Sequence, residues 1–253
     1  PEKYEPFILI SLLLSSALIP ILLTKRKAPK FKKLGFIDIK GLYRTSPLAT
    51  VSMFCTGLIH SALFTLGAVY AAAMNFSIFE ISLLLFLITI SGGMFQWPIG
   101  YYSDKSDRRI VIIFSTIFAG LFCILAIFAS GTTLQNMYLA SSVGIDKVMF
   151  FIYVSLYAGM AIPLFTLNLA YVNDYIHKEK FVAAGAGMQI IFAIGAMAGP
   201  FLCSMLMNKY GANGFFIHLL IFHLIIALFG LYRITKRTYK DNPESIFTPL
   251  PRN

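Results

Sequence analysis

Residues 96–109 read QWPIGYYSDKSDRR. They form a short polar break between two long apolar runs, at about 80–100 and 110–130. Within the break stand Gly100, Asp104-Lys105, Asp107 and Arg108-Arg109. A helix needs about 20 apolar residues to cross about 30 Å of hydrocarbon. Each flanking run is long enough. Two such helices joined by so few residues lie side by side and antiparallel.

Five further apolar runs are expected to span: about 7–24, 48–72, 148–172, 182–207 and 215–233. The chain has 253 residues, of which 58% are hydrophobic, and its mean hydropathy is +0.76. A soluble domain of this size carries far more polar surface. Backbone polar groups find no water in lipid, so apolar runs of this length become helices. The expected fold is an all-α integral membrane protein, an antiparallel bundle of about seven transmembrane helices.

The net charge is +10. With loops assigned to alternate sides, eighteen Lys and Arg fall on one side, in 24–46, 101–109, 173–181 and 233–253. Three, Lys3, Lys147 and Lys209, fall on the other. This is the asymmetry of the positive-inside rule, which places the rich side and the C-terminus in the cytoplasm. The charge then orients the protein and meets anionic lipid headgroups; a nucleic-acid partner is not expected. Cys55, Cys123 and Cys203 all fall inside spans. They read as small buried hydrophobes, with no disulfide framework and no metal pair. Asn75-Phe76-Ser77 is a formal glycosylation sequon. The chain starts at Pro1 with no basic signal-peptide region before the first span, so the true N-terminus is expected upstream.

The loop Gly100…Asp104-Lys105…Arg108-Arg109 resembles the G-x-x-x-D-[RK]-x-G-[RK]-[RK] signature of the major facilitator superfamily, with Asp107 where the family usually has Gly. Gln96-Trp97-Pro98-Ile99-Gly100, the stretch from Gly159 to Pro163, and Ala198-Gly199-Pro200 look like small bacterial members of the YcaD type. The resemblance covers most of the chain. It implies that 1–24 is the last helix of an N-terminal half, 25–46 a basic cytoplasmic linker, 47–233 a six-helix C-terminal half, and 234–253 a basic cytoplasmic tail. The partners it implies are a small-molecule solute, the lipid bilayer and a missing N-terminal six-helix half. The location it implies is a bacterial cytoplasmic (inner) membrane. Residues 34–44 alternate apolar and basic types and form either a surface helix or an irregular linker.

In the resembled family the charged loop latches the cytoplasmic side. Gly100 permits close backbone approach. Asp104 and Arg108 are four apart and can pair on a helical turn. Asp107 is placed at the amino end of the next helix, where negative charge is favoured. Lys105, Arg108 and Arg109 also suit lipid phosphates. The other reading is a charged hairpin that only fixes topology.

Ala183, Gly187, Gly195 and Gly199 recur at multiples of four, interrupted by Ile191. Small residues in one stripe let helices approach closely in lipid. Pro163 and Gly199-Pro200 are expected bends. In the family a G-x-x-x-G-P element in the related helix of the other half is linked to interconversion between states; Gly195…Gly199-Pro200 matches it in form, which makes these residues either hinge or packing elements.

Candidate cavity residues are Thr56, His60, Tyr157, Asn168 and Gln189. Polar groups inside a span face a cavity or another helix. Tyr157 and Asn168 are eleven apart and share a face of a continuous helix. His60 lies mid-span and would either bind solute or proton, or be a neutral His on a backbone carbonyl; the second reading is favoured for His218 and His223. Acidic residues sit only at span ends or in loops, so any proton coupling rests on His60 or on the other half.

The function expected is transport of a small solute by alternating access, secondary active or facilitative. No catalytic residue, metal or cofactor is expected. Asp174 and His177 share a loop without nucleophile or metal spacing, which disfavours an enzyme. A non-transporting scaffold or receptor on the same fold is the alternative.

Overall fold

The computed structural model describes residues 4–23, 39–130 and 143–236. Among these residues there are helices and turns and no strand. They form α1 (Glu5–Leu22), α2 (Ile39–Thr45), α3 (Pro47–Ala73), α4 (Ile78–Lys105), α5 (Arg108–Ala129), α6 (Val143–Ala161), α7 (Leu164–Asn173), α8 (Phe181–Tyr210) and α9 (Gly214–Lys236). The chain divides into two compact units, residues 1–34 and 35–253. The first contains α1, an 18-residue apolar helix with Pro20 near its end. The rest of this section concerns the second. Most of the basic linker and the tail beyond Lys236 lie outside the described residues. Of the surface helix considered for 34–44, the described part is helical from Ile39.

The stretches Pro47–Ala73, Ile78–Lys105, Arg108–Ala129, Lys147–Asn173 and Lys178–Lys236 are long and apolar enough to cross a membrane. The last, of 59 residues, holds both α8 and α9, separated by a single 3-10 turn at Gly211–Asn213. The seven apolar runs of the sequence thus correspond to α1, α3, α4, α5, the broken pair α6–α7, α8 and α9.

Local chemistry sets the turns. Ser77 caps α4 through a reciprocal capping box with Glu80. Asn75 precedes it at φ 57, a left-handed conformation that Asn tolerates better than most residues. Asp107 caps α5, accepting from the Arg109 N–H. Its φ of −64° needs no glycine. The departure from the family's Gly therefore replaces a flexible position with a helix cap.

α3 is the central helix. Of its apolar window 61% is buried, against 22% for α4. It packs on α8, α9, α7 and α4. The closest approach is to α8. A Cβ added at Gly57 would collide with the Phe192 carbonyl, at Gly195 with the Phe54 carbonyl, and at Gly199 with Ser61 Oγ and the Leu58 carbonyl. In lipid, such backbone proximity supplies dispersion contacts where no hydrophobic force drives helices together. Where α4 meets α6 the glycines instead make room for side chains, Gly92 for Ile162 just past the end of α6 and Gly159 for Phe95.

Ion pairs at both ends set the register. At the basic end, Arg108 at the start of α5 pairs with Asp104 of α4 and with Asp174 after α7. At the far end, Lys147 of α6 pairs with Glu80 of α4 at 2.7 Å. Beside that pair, Tyr70 packs between Phe215 at 5.0 Å and Phe216 at 5.1 Å. These centroid distances lie in the favourable range for aromatic contact.

Candidate functional site

The basic end carries a compact charged cluster. The 11%-exposed Arg108 side chain is its hub. Nη2 donates to Asp104 Oδ1 at 2.7 Å, Nε to Asp174 Oδ2 at 2.9 Å, and Nη1 to Ser103 Oγ at 3.1 Å. One guanidinium thus ties the end of α4 and the start of α5 to the end of α7. A planar fork with several fixed donors suits this task better than an ammonium. Burial holds the Asp174 carboxyl above the usual carboxylate range, and the Arg108 charge pulls it back down. Arg109, buried, turns the other way and grips Asp107, Nη2 to Oδ2 at 2.6 Å. Lys105 is exposed and sits over the Tyr101 ring at 4.0 Å.

Of the residues expected in this loop, Asp104, Asp107, Arg108 and Arg109 are brought into the cluster, and Lys105 lies at its rim. The close backbone approach expected at Gly100 is not found among the described residues: an added Cβ there meets nothing within 4 Å. Gly100 lies inside α4 rather than at its end. Asp174 is the member that sequence reasoning missed. Its signal was weak, one of two acids in a loop 66 residues away.

A second group of polar side chains lies inside the bundle. Thr56 is fully buried and donates to the Ser52 carbonyl at 2.7 Å. It accepts from Asn168 Nδ2 at 3.2 Å, which joins α3 to α7. The Asn168 Oδ1 finds no partner among the described residues. His60 bonds through Nε2 to the Ala161 carbonyl at 3.0 Å. Only an N–H can bond a carbonyl, so Nε2 carries the proton. The bond lands where α6 stops, two residues before Pro163, whose ring cannot continue the helical ladder.

Tyr157 and Asn168 are both buried and bond to different helices. The break at Ile162–Pro163 intervenes, and Tyr157 reaches His223 of α9, 3.4 Å from OH to Nε2. His223 is fully engaged. The Thr116 hydroxyl donates to the His223 carbonyl at 3.1 Å, so it accepts at 2.9 Å from Nδ1–H. Nε2 is then the acceptor, and the Tyr157 hydroxyl donates to it. His218 bonds through Nε2 to the Leu58 carbonyl at 3.2 Å. These three histidines are therefore tied to core partners, and His223, whose Nε2 accepts, is a neutral ring.

Gln189 stands apart from this group, exposed on α8. Gly195 and Gly199 face α3, as described. Pro200 lies inside α8, which continues through it. Cys55, Cys123 and Cys203 are free and buried. Among the described residues no cluster of three or more His, Cys, Asp or Glu could hold a metal.

An all-α bundle of membrane-length apolar helices, with an arginine-centred charge cluster at one end and neutral polar groups bonded to one another inside, is the architecture of a polytopic membrane protein. The family model of the Major Facilitator Superfamily matches residues 6–167 and 49–251. The chain belongs to that superfamily. It is 29% identical over 171 residues to the MFS-type transporter YfkF of Bacillus subtilis, covering 67% of this chain and 39% of the relative. It is 25% identical over 174 residues to the MFS-type transporter YE1530 of Yersinia enterocolitica, covering 69% and 41%. It is 20% identical over 210 residues to the MFS-type transporter YcaD of Escherichia fergusonii, covering 82% and 50%. The chain thus spans half or less of the length of these relatives.

Proposed function

We propose that the chain works as one half of a secondary carrier that moves a small solute by alternating access. In this reading the α3–α9 bundle rocks against a second six-helix half around a midplane site, its own helices shifting against one another as it does. The observation that supports it best is the Arg108 cluster. It ties three helix ends at one face, through contacts that water or a moving helix can break and remake. The basic face lies in the cytoplasm of a bacterial inner membrane, with the C-terminus on the same side. Asp104, Asp107, Arg108, Arg109 and Asp174 latch that face, and Gly100 and Lys105 flank the latch. Thr56, His60, Tyr157 and Asn168 support the pathway from within the bundle, and the exposed Gln189 is placed to line it. Gly195, Gly199, Pro163 and Pro200 set the helix contacts that must slide or bend between states. No chemistry on the solute is part of this function.

The test is solute redistribution. Cells expressing the complete reading frame that contains this chain are compared with cells lacking it, by untargeted mass spectrometry of medium and cell extract. A carrier changes the distribution of at least one solute. A scaffold or receptor on the same fold leaves every distribution unchanged, and that result would sink the proposal.

A further inference from the structure

Three polar side chains outside the buried group lie at one depth. Gln96 is nine residues from the basic end of α4, Thr166 eight from the Asp174 cap of α7, and Gln189 eight from the start of α8. At 1.5 Å per residue each sits about 12–14 Å inside that end. Gln96 and Thr166 touch directly, Nε2 to Oγ1 at 3.1 Å. Gln189 is bracketed onto the same level of α7. One turn before it, a Cβ at Gly185 would lie 3.8 Å from Leu169; one turn after it, Phe192 packs on Phe165 at 5.1 Å.

The hydrogen-bond roles follow from what is already committed. The Thr166 hydroxyl donates to the Pro163 carbonyl at 2.9 Å. Its remaining lone pair needs a donor, so Gln96 presents its NH2 there. That leaves the Gln96 carbonyl oxygen and a second N–H facing outward. The Gln189 amide has no bonding partner among the described residues. Thr166 and Gln189 are exposed and Gln96 half-buried. Amides on an exposed helix face at this depth are costly against lipid and stable against water or a polar ligand. No Asp, Glu, Lys or Arg occurs in 48–72, 81–103, 110–129, 148–173 or 182–208.

We propose that Gln96, Thr166 and Gln189 form a solute subsite for an uncharged, hydrogen-bonding group, of the hydroxyl or amide class, with the Phe165–Phe192 pair as its apolar flank. This rests on the carrier reading above. The amides supply both donors and acceptors, which suits a ligand with hydroxyl or amide groups. The lack of nearby formal charge makes desolvating an ionic ligand costly.

The test is the reactivity of Gln189→Cys and, separately, Gln96→Cys in the complete reading frame, in open membrane fragments. Met197→Cys, on the same helix, 83% exposed and among apolar neighbours, is the comparison position. The unsubstituted protein is the blank, and the three cysteines within this chain are buried. The probes are hydroxyethyl, trimethylammonium-ethyl and sulfonatoethyl methanethiosulfonates, each normalised to its rate with free mercaptoethanol. A thiolate forms only where water reaches, so both site variants are expected to react about tenfold faster than Met197→Cys. The neutral reagent is expected to outpace both charged ones. Rates equal to that of Met197→Cys would overturn the subsite, and a preference for either charged reagent would overturn the solute class. Slow labelling with solute redistribution intact removes the subsite and leaves the carrier. Fast labelling with no redistribution removes the carrier and the subsite with it.

Discussion

Arg108 concentrates the energetics of the basic face in one side chain. Removing one partner of a partly buried pair leaves the other charge unpaired, which costs more than the pair itself contributes. Arg108→Ala is expected to lose about 1–3 kcal/mol of stability in detergent. The loss has a pH signature. Asp174 titrates above the usual carboxylate range because it is buried. An acid with a raised folded titration point binds its proton more tightly when folded, so its ionised form costs stability at neutral pH. That cost disappears as pH falls through the raised point. Without Arg108 the cost grows. The deficit of Arg108→Ala relative to wild type should therefore narrow on acidification, and adding Asp174→Asn should flatten it. A deficit that widens at low pH would mean Asp174 is not the group left unpaired. The glycines make an independent prediction at the same scale. Gly195→Val drives side-chain atoms into the Phe54 carbonyl of α3 and is expected to cost about 1–3 kcal/mol. Gly93→Ala, where an added Cβ meets nothing within 4 Å, is expected to change the thermal midpoint little.

Elements were legible in the sequence to the extent that hydropathy governs them. Length and apolarity place the spans, because a bilayer admits little besides helices of that length. The break between α6 and α7 was foreshadowed by Pro163, but its consequence was not. Tyr157 and Asn168, eleven residues apart, stand on either side of the break, and one bonds to α9 while the other bonds to α3. The structure also pairs the break with His60, which donates to the Ala161 carbonyl. Such pairings are set by side chains about a hundred residues apart, and no local pattern reports them. The Arg108–Asp174 pair escaped for the same reason, whereas Arg108 and Asp104, four residues apart, were readable as a turn of helix. His60→Ala is expected to lose about 1–3 kcal/mol, because it leaves a buried carbonyl without its donor. His60→Gln, which keeps an N–H within reach, should recover part of that loss in a detergent melt. Equal melts for the two variants would indicate that the ring's packing, and not its bond, holds the break.

At the scale of the whole molecule, charge asymmetry and family membership bear on function more directly than any single site. The eighteen-to-three division of Lys and Arg between alternate loops predicts a cytoplasmic C-terminus. A green fluorescent protein fused after Asn253 should fluoresce, and an alkaline phosphatase fused there should be inactive. The reverse pattern would invert the topology and move the Arg108 cluster to the outer face. Solute identity was not legible, because neutral amides and hydroxyls constrain charge and hydrogen bonding but not shape. The central claim, that this bundle is half of a carrier latched at its basic face, is tested most directly by solute flux. Redistribution of the affected solute is measured in cells expressing the complete reading frame as wild type, Arg108→Ala or Asp174→Asn, at matched protein levels. The account predicts that wild type moves the solute and that both latch variants shift the flux by about tenfold, the effect of a bias of about 1.4 kcal/mol between states. A flux identical in all three, or absent in wild type, would contradict it.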